Sequence, residues 1–565
     1  MLKAKNLVLL AGLTVAFFSG LHAIPVNAAD AQEGKDYLKA DAQRMQQWRD
    51  MKFGLFVHWG PVSLMGTEIG WSRGGERRGR KGTGEIPVEV YDNLYRSFYP
   101  AEFDAAEWVQ IAKSAGMKYI VFTTKHHDGF CMFDSGLTDY EITNSPFKRD
   151  IVKEIAGACR KGGLKLGFYY SQPDWHHPDY RTDNHTRYIK YLHGHLRELC
   201  TKYGKLDIIF FDGLGGKAED WNPEDLFKMI RSLQPDVVIN NRGGLPGDYE
   251  TPEQRVGEFR QDRPWESCIT VCRQWAWKPG DRMKSLAECI QTLVRVVGGD
   301  GNLLLNVGPM PTGEIEPRQV ELLRQLGDWL RRYGESIYST RGGPFKGNSW
   351  CASTHSGNRI YVHILNWHGE TFRLPAINKK VTSASLLTGG DMKFEQTKDA
   401  IDIIVPKQYQ REIDTIAVLE LDGSAGEIEP VEAPSRSLAY QAAASSSSVY
   451  NDRADSTANK AFDDDYASCW RSNGNEGWLQ IDLGRPRSID AAFIWDGGDY
   501  FGTEQYELLY DADGRWQSLA RGDLLGQPGA IRFDPVKVQR LRLNVSRKER
   551  QVMIYEFQVF GPEGD

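Results

Sequence analysis

Between residues 35 and 340, short apolar runs alternate with stretches of helical periodicity. Residues 53–58, 119–124, 166–170, 207–212, 237–241 and 302–307 are apolar almost throughout, as expected of strands buried on both faces. Helical patterns occupy 104–115, 150–161, 187–203 and 223–233. Apolar strands separated by helices predict parallel βα units, and several of them over about 300 residues predict a (β/α)8-type TIM barrel at 30–340. From 341 to 425 apolar and polar positions alternate, with turn residues between, which predicts a small antiparallel β-sandwich. An Ala-, Ser-, Glu- and Pro-rich stretch follows, giving a linker at 426–435, and a second all-β unit fills 436–565.

The strand ends carry the polar residues. His58, Lys125-His126-His127, Tyr169-Tyr170, Asp212 and Asn241-Arg242 close successive apolar runs. The C-terminal ends of barrel strands are where such folds build active sites, so these residues are the first candidates for chemistry. Asp212 closes IIFFD and precedes Gly213. Glu266 follows Trp265 and enters the apolar run CITVC, a setting that raises a carboxyl pKa and suits a general acid. Glu250, Glu253, Glu258 and Asp262 read as a solvated acidic face. Adjacent residues on a strand point to opposite sides, so at most one of His126 and His127 shares a face with a metal-ligand set. No third ligand is evident, and hydroxyl recognition is the better reading for both.

Composition narrows the class. Residues 1–29 pair Lys3 and Lys5 with an apolar stretch at 7–18 and small residues at Ala28-Ala29, which reads as a secretory signal peptide. Its apolar stretch falls short of the roughly 20 residues that span a bilayer. The expected product is exported, to the periplasm or the medium, without membrane insertion. The 565 residues carry a net charge of −7 and no block of basic residues on a nucleic-acid-binding scale, which argues against nucleic acid as a partner. Eight cysteines without CxxC or zinc-type spacing read as free thiols. Walker A, GxGxxG, GxSxG and HExxH motifs are absent, so no catalytic cofactor is expected.

Seven segments in order (KFGLFVHWGPVS, YIVFTTKHHDGF, LGFYYSQPDW, DIIFFDG, VINNRGG, PWESC and NLLLNVGP) resemble the α-L-fucosidases of glycoside hydrolase family 29. The resemblance implies an exo-acting, retaining hydrolase of fucosylated glycans, with Asp212 as nucleophile and Glu266 as acid/base. It also implies fucose contacts from His58, Trp71, His126, His127, Tyr169 and Arg242. In GTEIGWSR Glu68 shares the place of Trp71, and Tyr169 stands beside Tyr170. A related sugar such as an α-L-galactoside, or a non-catalytic sugar-binding role, is the alternative. The last unit is similar to discoidin-like (F5/8 type C, carbohydrate-binding module family 32) β-sandwiches through NKAFDDD, CWRS, GWLQIDLG and IYEFQVFG. That likeness implies a structural Ca²⁺ at Asp463 or Asp464 with Glu556, whose hard oxygen ligands suit calcium. Trp470, Trp495 and Tyr500 either stack on a sugar or fill its core.

Overall fold

Seven parallel strands curl around one core: β1 (Phe53–Val57), β2 (Tyr119–Lys125), β3 (Lys165–Ser171), β4 (Ile208–Asp212), β5 (Val238–Ile239), β6 (Glu266–Thr270) and β7 (Asn302–Val307). Their spatial order is β5-β4-β3-β2-β1-β7-β6. The structure, a computed structural model, describes residues 36–565 except 434, 466–467, 497–502, 523–530, 549 and 563–565. The signal-peptide assignment at 1–29 lies outside the described residues. Among those described, no helix is long and apolar enough to cross a membrane.

The gap between β5 and β6 is closed by an irregular stretch, 249–254. Tyr249 bridges Asn240 on one side, while Glu250 and Glu253 bridge Trp265 and Cys268 on the other, all in parallel. The Cys268 amide donates to Pro252 O at 3.0 Å and the Gln254 amide to Cys268 O at 2.9 Å. This stretch does the work of an eighth strand, and Pro252, which stays in register but has no N–H to donate, explains why it is not a regular one.

Helices begin where the sequence supplies caps. The Asp104 carboxylate accepts from the Ala106 amide at 2.7 Å at the start of Ala105–Ser114. Asp150 does the same for Ile151–Gly162, and Ser285 with Glu288 forms a reciprocal capping box before Leu286–Gly298. Inside the barrel, inward-pointing side chains stack in layers. Tyr119, Tyr249 and Glu266 form the bottom; Phe56, Tyr169, Phe210, Cys268 and Trp275 lie above. Gly54 is required at the bottom because a Cβ there would meet the Tyr119 ring at 2.3 Å.

The next unit is antiparallel, as its alternation predicts. Arg341–Gly342, Cys351–Ser356, Arg359–Ile364, Thr415–Leu421 and Val381–Leu386 form one sheet; Thr371–Pro375, Ala400–Ile404 and Lys393–Gln396 form the other. The stretch expected to be a linker is not a loose tether. Ile428 is buried and Val431–Glu432 pairs with Phe345–Lys346. In the C-terminal unit Glu476–Trp495 pairs with Ile531–Ser546, Ala443–Ser446 and Glu556–Phe560. Its Phe493 and Phe560 join the core of the preceding sandwich, with Phe560 edge-on to Trp350 at 4.4 Å. Trp470 is core, Trp495 packs against the sandwich, and Tyr500 lies outside the described residues. All eight cysteines are free thiols.

Candidate active site

A cavity of about 460 Å³ opens at the C-terminal ends of the strands. Phe56, Phe210, Cys268 and Trp275 line its floor; His58, Trp71, Arg80, His126, His127, Tyr169, Asp212, Arg242 and Glu253 line its walls and mouth.

Asp212 ends β4 opposite Ser171 of β3. Gly213 follows at φ 78°, where a Cβ would lie 2.7 Å from the His127 ring; only glycine lets the chain leave the strand there. The Asp212 carboxylate accepts from Tyr169 Oη at 2.8 Å and from Arg242 Nη1 at 2.6 Å. Burial alone would raise its pKa, but the Arg242 charge, His127 and these hydrogen bonds outweigh burial and bring it to about 2. Tyr169 is thus the pocket tyrosine. Tyr170, one residue on, faces away and bonds His195 Nδ1 at 3.0 Å.

Arg242 Nη1 also lies 3.0 Å from Glu253. One guanidinium nitrogen therefore holds both carboxylates, which places their nearest oxygens no more than about 5.6 Å apart. Burial raises the pKa of Glu253; Arg242 opposes that and the Asp212 charge adds to it.

The three pocket histidines are neutral. Burial lowers His58 to about 4 and His127 to about 3, and His126 falls well below its usual value for the same reason. Their tautomers follow from their partners. The Asn306 amide donates to Trp275 O at 2.8 Å, so its oxygen faces His58 Nδ1 at 2.7 Å, and that nitrogen carries the proton. Ser171 Oγ donates to Pro173 O at 2.7 Å and so accepts from His127 Nδ1 at 2.7 Å. Both histidines then keep an Nε2 lone pair for a hydroxyl. His126 stacks parallel to Tyr169, ring centroids 5.6 Å apart.

Both His126 and His127 reach the pocket, contrary to the strand alternation expected from the sequence. The reason is that β2 ends at Lys125, so the pleat no longer sets their directions. A third group also joins them, since ligand atoms of His126, His127 and Asp212 lie within 4.8 Å of one another. Arg242 on the same carboxylate disfavours a dication there.

Two further expectations need correcting. Glu266 is not at the mouth. It is the first residue of β6, fully buried, and Tyr119 Oη donates to its Oε2. Its amide pairs with Glu250 O, three residues before Glu253, so it sits roughly 10 Å nearer the closed end of the barrel. Burial pushes its carboxyl up to about 8, against the Tyr119 hydrogen bond. Trp265 is not its aromatic wall: it packs over Gly257 and Gly301, while Tyr119 and Tyr249 face the Glu266 carboxyl. Glu68 is likewise outside the pocket, accepting from the Trp275 amide at 2.8 Å and the Ala276 amide at 3.0 Å; it fixes the loop that presents Trp275. Trp71 does line the cavity, braced by Arg77 and Arg80 at 5.3 and 5.6 Å.

In the C-terminal unit the carboxylates inferred for calcium do not all converge. Asp464 is engaged by Ser349 Oγ at 3.2 Å and by Gln558 Nε2. Asp463 accepts from Ser468 and Lys460. Glu556 is buried with Oε1 unpartnered, and burial followed by the charges of Asp464, Asp463 and Asp465 pushes its pKa well up. Lys460 O lies 3.1 Å from Ser468 Oγ and adds a neutral oxygen to the group. Buried like charges with hard oxygens fit a cation.

A family model described as alpha-L-fucosidase matches residues 23–335, and one described as F5/8 type C domain matches 441–557. The chain is 31% identical to the plasma alpha-L-fucosidase of Rattus norvegicus over 58% of this chain and 79% of that protein. It is 30% identical to the tissue alpha-L-fucosidase of Macaca fascicularis over 64% of this chain and 85% of that one. Among solved structures, alpha-L-fucosidase isoenzyme 1 of Paenibacillus thiaminolyticus superposes with TM-score 0.62 at 37% identity, covering 67% of this chain and 99% of the other. A family 29 alpha-L-fucosidase of Bacteroides thetaiotaomicron, trapped as a covalent intermediate, superposes with TM-score 0.62 at 29% identity, covering 68% and 97%.

Proposed function

The chain belongs to the α-L-fucosidase family of glycoside hydrolases, and from that premise we propose that it is an exported, exo-acting retaining enzyme that releases L-fucose from fucosylated glycans, with Asp212 as nucleophile and Glu253 as acid/base. The observation that carries the reading is the shared Arg242 nitrogen, which keeps the nearest oxygens of the two carboxylates within about 5.6 Å, a limit compatible with the spacing of about 5–5.5 Å used by retaining glycosidases.

Asp212 stays ionised and attacks the anomeric carbon while Glu253 passes its proton to the departing oxygen. Bond formation to Asp212 removes the negative charge that raises Glu253, so the Glu253 pKa falls. It is then a ready base for the water that hydrolyses the fucosyl ester. Nε2 of His58 and of His127 accept from ring hydroxyls. Phe56, Phe210 and Trp275 give an apolar floor suited to the methyl group of a 6-deoxy sugar. The test is hydrolysis of 4-nitrophenyl α-L-fucoside followed by NMR. The first product is expected to be α-L-fucose, and β-L-fucose appearing first would overturn retention.

The pH dependence follows from the same groups. Above about pH 4, where His58 is neutral and Asp212 ionised, kcat/KM is expected to hold, and to fall as pH rises through the raised pKa of Glu253. The falling limb should disappear in Glu253→Ala assayed on an aryl fucoside. A limb that persists in that variant would assign the acid elsewhere.

For the C-terminal unit, we propose that Ca²⁺ binds at Glu556 with Asp463 or Asp464, the Asp464 Oδ2 and Glu556 Oε1 being buried without hydrogen-bond partners. Unfolding in about 1 mM Ca²⁺ should then occur several degrees above unfolding in EDTA, since a ligand at 100 times Kd stabilises by about 2.7 kcal/mol. Equal midpoints in the two buffers would remove the ion.

A further inference from the structure

The acidic overall balance conceals a local run of cations at the mouth of the barrel. The loop after β1 carries Arg77, Arg78, Arg80 and Lys81 within five residues. Arg181, from the segment after β3, meets it. A Cβ on Gly79 would lie 1.6 Å from Arg181 Nη1, and one on Gly215 would lie 2.8 Å from its Nη2. Arg181 is therefore clasped between the basic loop and the loop that leaves Asp212. Arg80 is exposed and lines the pocket, its guanidinium 5.6 Å from the Trp71 ring and 3.5 Å from Gly213 O.

These charges are largely unspent. Arg77 is committed to Trp71 and Trp175, and Arg78 to the carbonyls of His177, Pro178 and Tyr180. None of the five cations has a carboxylate within 4.0 Å among the described residues, whereas Arg73, four residues earlier, is paired with Asp92 at 2.6 Å. The acids nearby are Glu85, Asp220, Glu253 and Asp212, and Arg242 already sits between the last two. An arginine pair held at the open side of a pocket, beside the group that protonates the leaving oxygen, faces the sugar to which fucose is attached. Guanidinium forks match sulfate and carboxylate oxygens, and a cationic rim raises the local concentration of anionic substrate.

We propose that the subsite outside the fucose pocket takes a saccharide bearing an anionic group, a sulfate ester or a carboxylate, held by Arg80 and Arg181. This rests on the fucoside-hydrolase reading above. The two sources share the chemistry of a fixed anion next to the scissile bond, and substrates tell them apart.

The experiment compares kcat/KM on three fucosyl disaccharides of one linkage, whose second sugar is a neutral hexose, the same hexose sulfated, or the corresponding hexuronic acid. At about 20 mM salt an anionic substrate should be preferred at least tenfold, shrinking towards parity at about 500 mM, where the Debye length is only a few ångströms. Preference for the sulfated sugar alone, for the uronic acid alone, or for both supports the inference and names the source. Arg80→Gln with Arg181→Gln should bring the ratio below about threefold; the substrate ratio and its salt dependence in the unmodified enzyme stand whether or not that variant folds. Equal rates on neutral and anionic disaccharides, with 4-nitrophenyl α-L-fucoside turned over normally, would overturn the subsite alone. Absence of aryl-fucoside turnover would overturn it together with the functional reading.

Discussion

Glu253→Ala is expected to lose about 10³-fold in kcat/KM on fucosyl oligosaccharides, while Glu266→Gln stays within a few-fold of the parent enzyme. The asymmetry follows from position. Glu253 lines the cavity and shares Arg242 with Asp212, whereas Glu266 is sealed at the closed end under Tyr119. The loss in Glu253→Ala should be much smaller on aryl fucosides, whose leaving groups depart without a proton. Azide should then speed turnover by capturing the fucosyl-enzyme, giving α-L-fucosyl azide with retained configuration. Glu266→Gln keeps an oxygen for the Tyr119 hydroxyl, so the fold survives, but it should change the pH dependence of stability. The unfolded chain ionises Glu266 above pH 4.5, while the folded protein keeps the proton to about 8. Stability from this group is full below pH 4.5 and is lost as pH rises towards 8. The melting temperature of the parent should therefore fall relative to Glu266→Gln across that window. A folded Glu266→Gln enzyme with turnover reduced a thousandfold, beside an active Glu253→Ala, would return the acid/base role to Glu266.

The misplacement of that role shows where the sequence was readable and where it was not. Strands with continuous apolar runs, β1 to β5 and β7, were legible because burial on both faces leaves no polar position to confuse the pattern, and amphipathic periodicity marked the helices before β2, β3, β4 and β5 but not Leu286–Gly298 before β7. The residues ending those strands, His58, His126, His127, Tyr169, Asp212 and Arg242, were found for the same reason, and all line the cavity. Glu253 was hidden because its strand is not apolar. In Tyr249-Glu250-Thr251-Pro252-Glu253 only every second residue faces the barrel, and Pro252 breaks the ladder. Two signals were available. The apolar runs, with CITVC, number seven where a closed barrel needs eight, and residues 242–264, between the fifth of those runs and CITVC, hold no assigned element. Within it the alternation Tyr249, Thr251, Glu253 is that of an inward face. Glu266 misled because its Trp neighbour suggested an aromatic setting for a general acid, although its place before CITVC, at the N-terminal end of the run, already set it away from the C-terminal strand ends. The basic run at 77–81 stands in the sequence behind an acidic net charge, but only the fold shows that Arg181 meets it beside the loop that leaves Asp212.

Asp212→Gly should lower kcat/KM on 4-nitrophenyl α-L-fucoside by about four orders of magnitude or more. The site it leaves is unusually well suited to chemical rescue. Arg242 Nη1 and Tyr169 Oη, which held the carboxylate at 2.6 and 2.8 Å, remain as two donors facing the anomeric carbon. They would bind a small anion where the nucleophile stood. Azide attacking from there displaces the aglycone once, so the product is β-L-fucosyl azide, inverted relative to the substrate. This is the opposite configuration to the azide product of Glu253→Ala, and the pair of products assigns both carboxylates in one comparison. The role of Arg242 separates in the same experiment. Arg242→Gln in the otherwise intact enzyme removes the charge that opposes burial at Asp212, so its carboxyl rises and the acidic limb of kcat/KM should move to higher pH than in the parent. Combined with Asp212→Gly, it should weaken azide rescue by raising the azide concentration needed for half-maximal rate, because the anion has lost its cation. Rescue of Asp212→Gly that gives the α-azide, or that is indifferent to Arg242, would mean that the displaced group does not occupy the nucleophile's place.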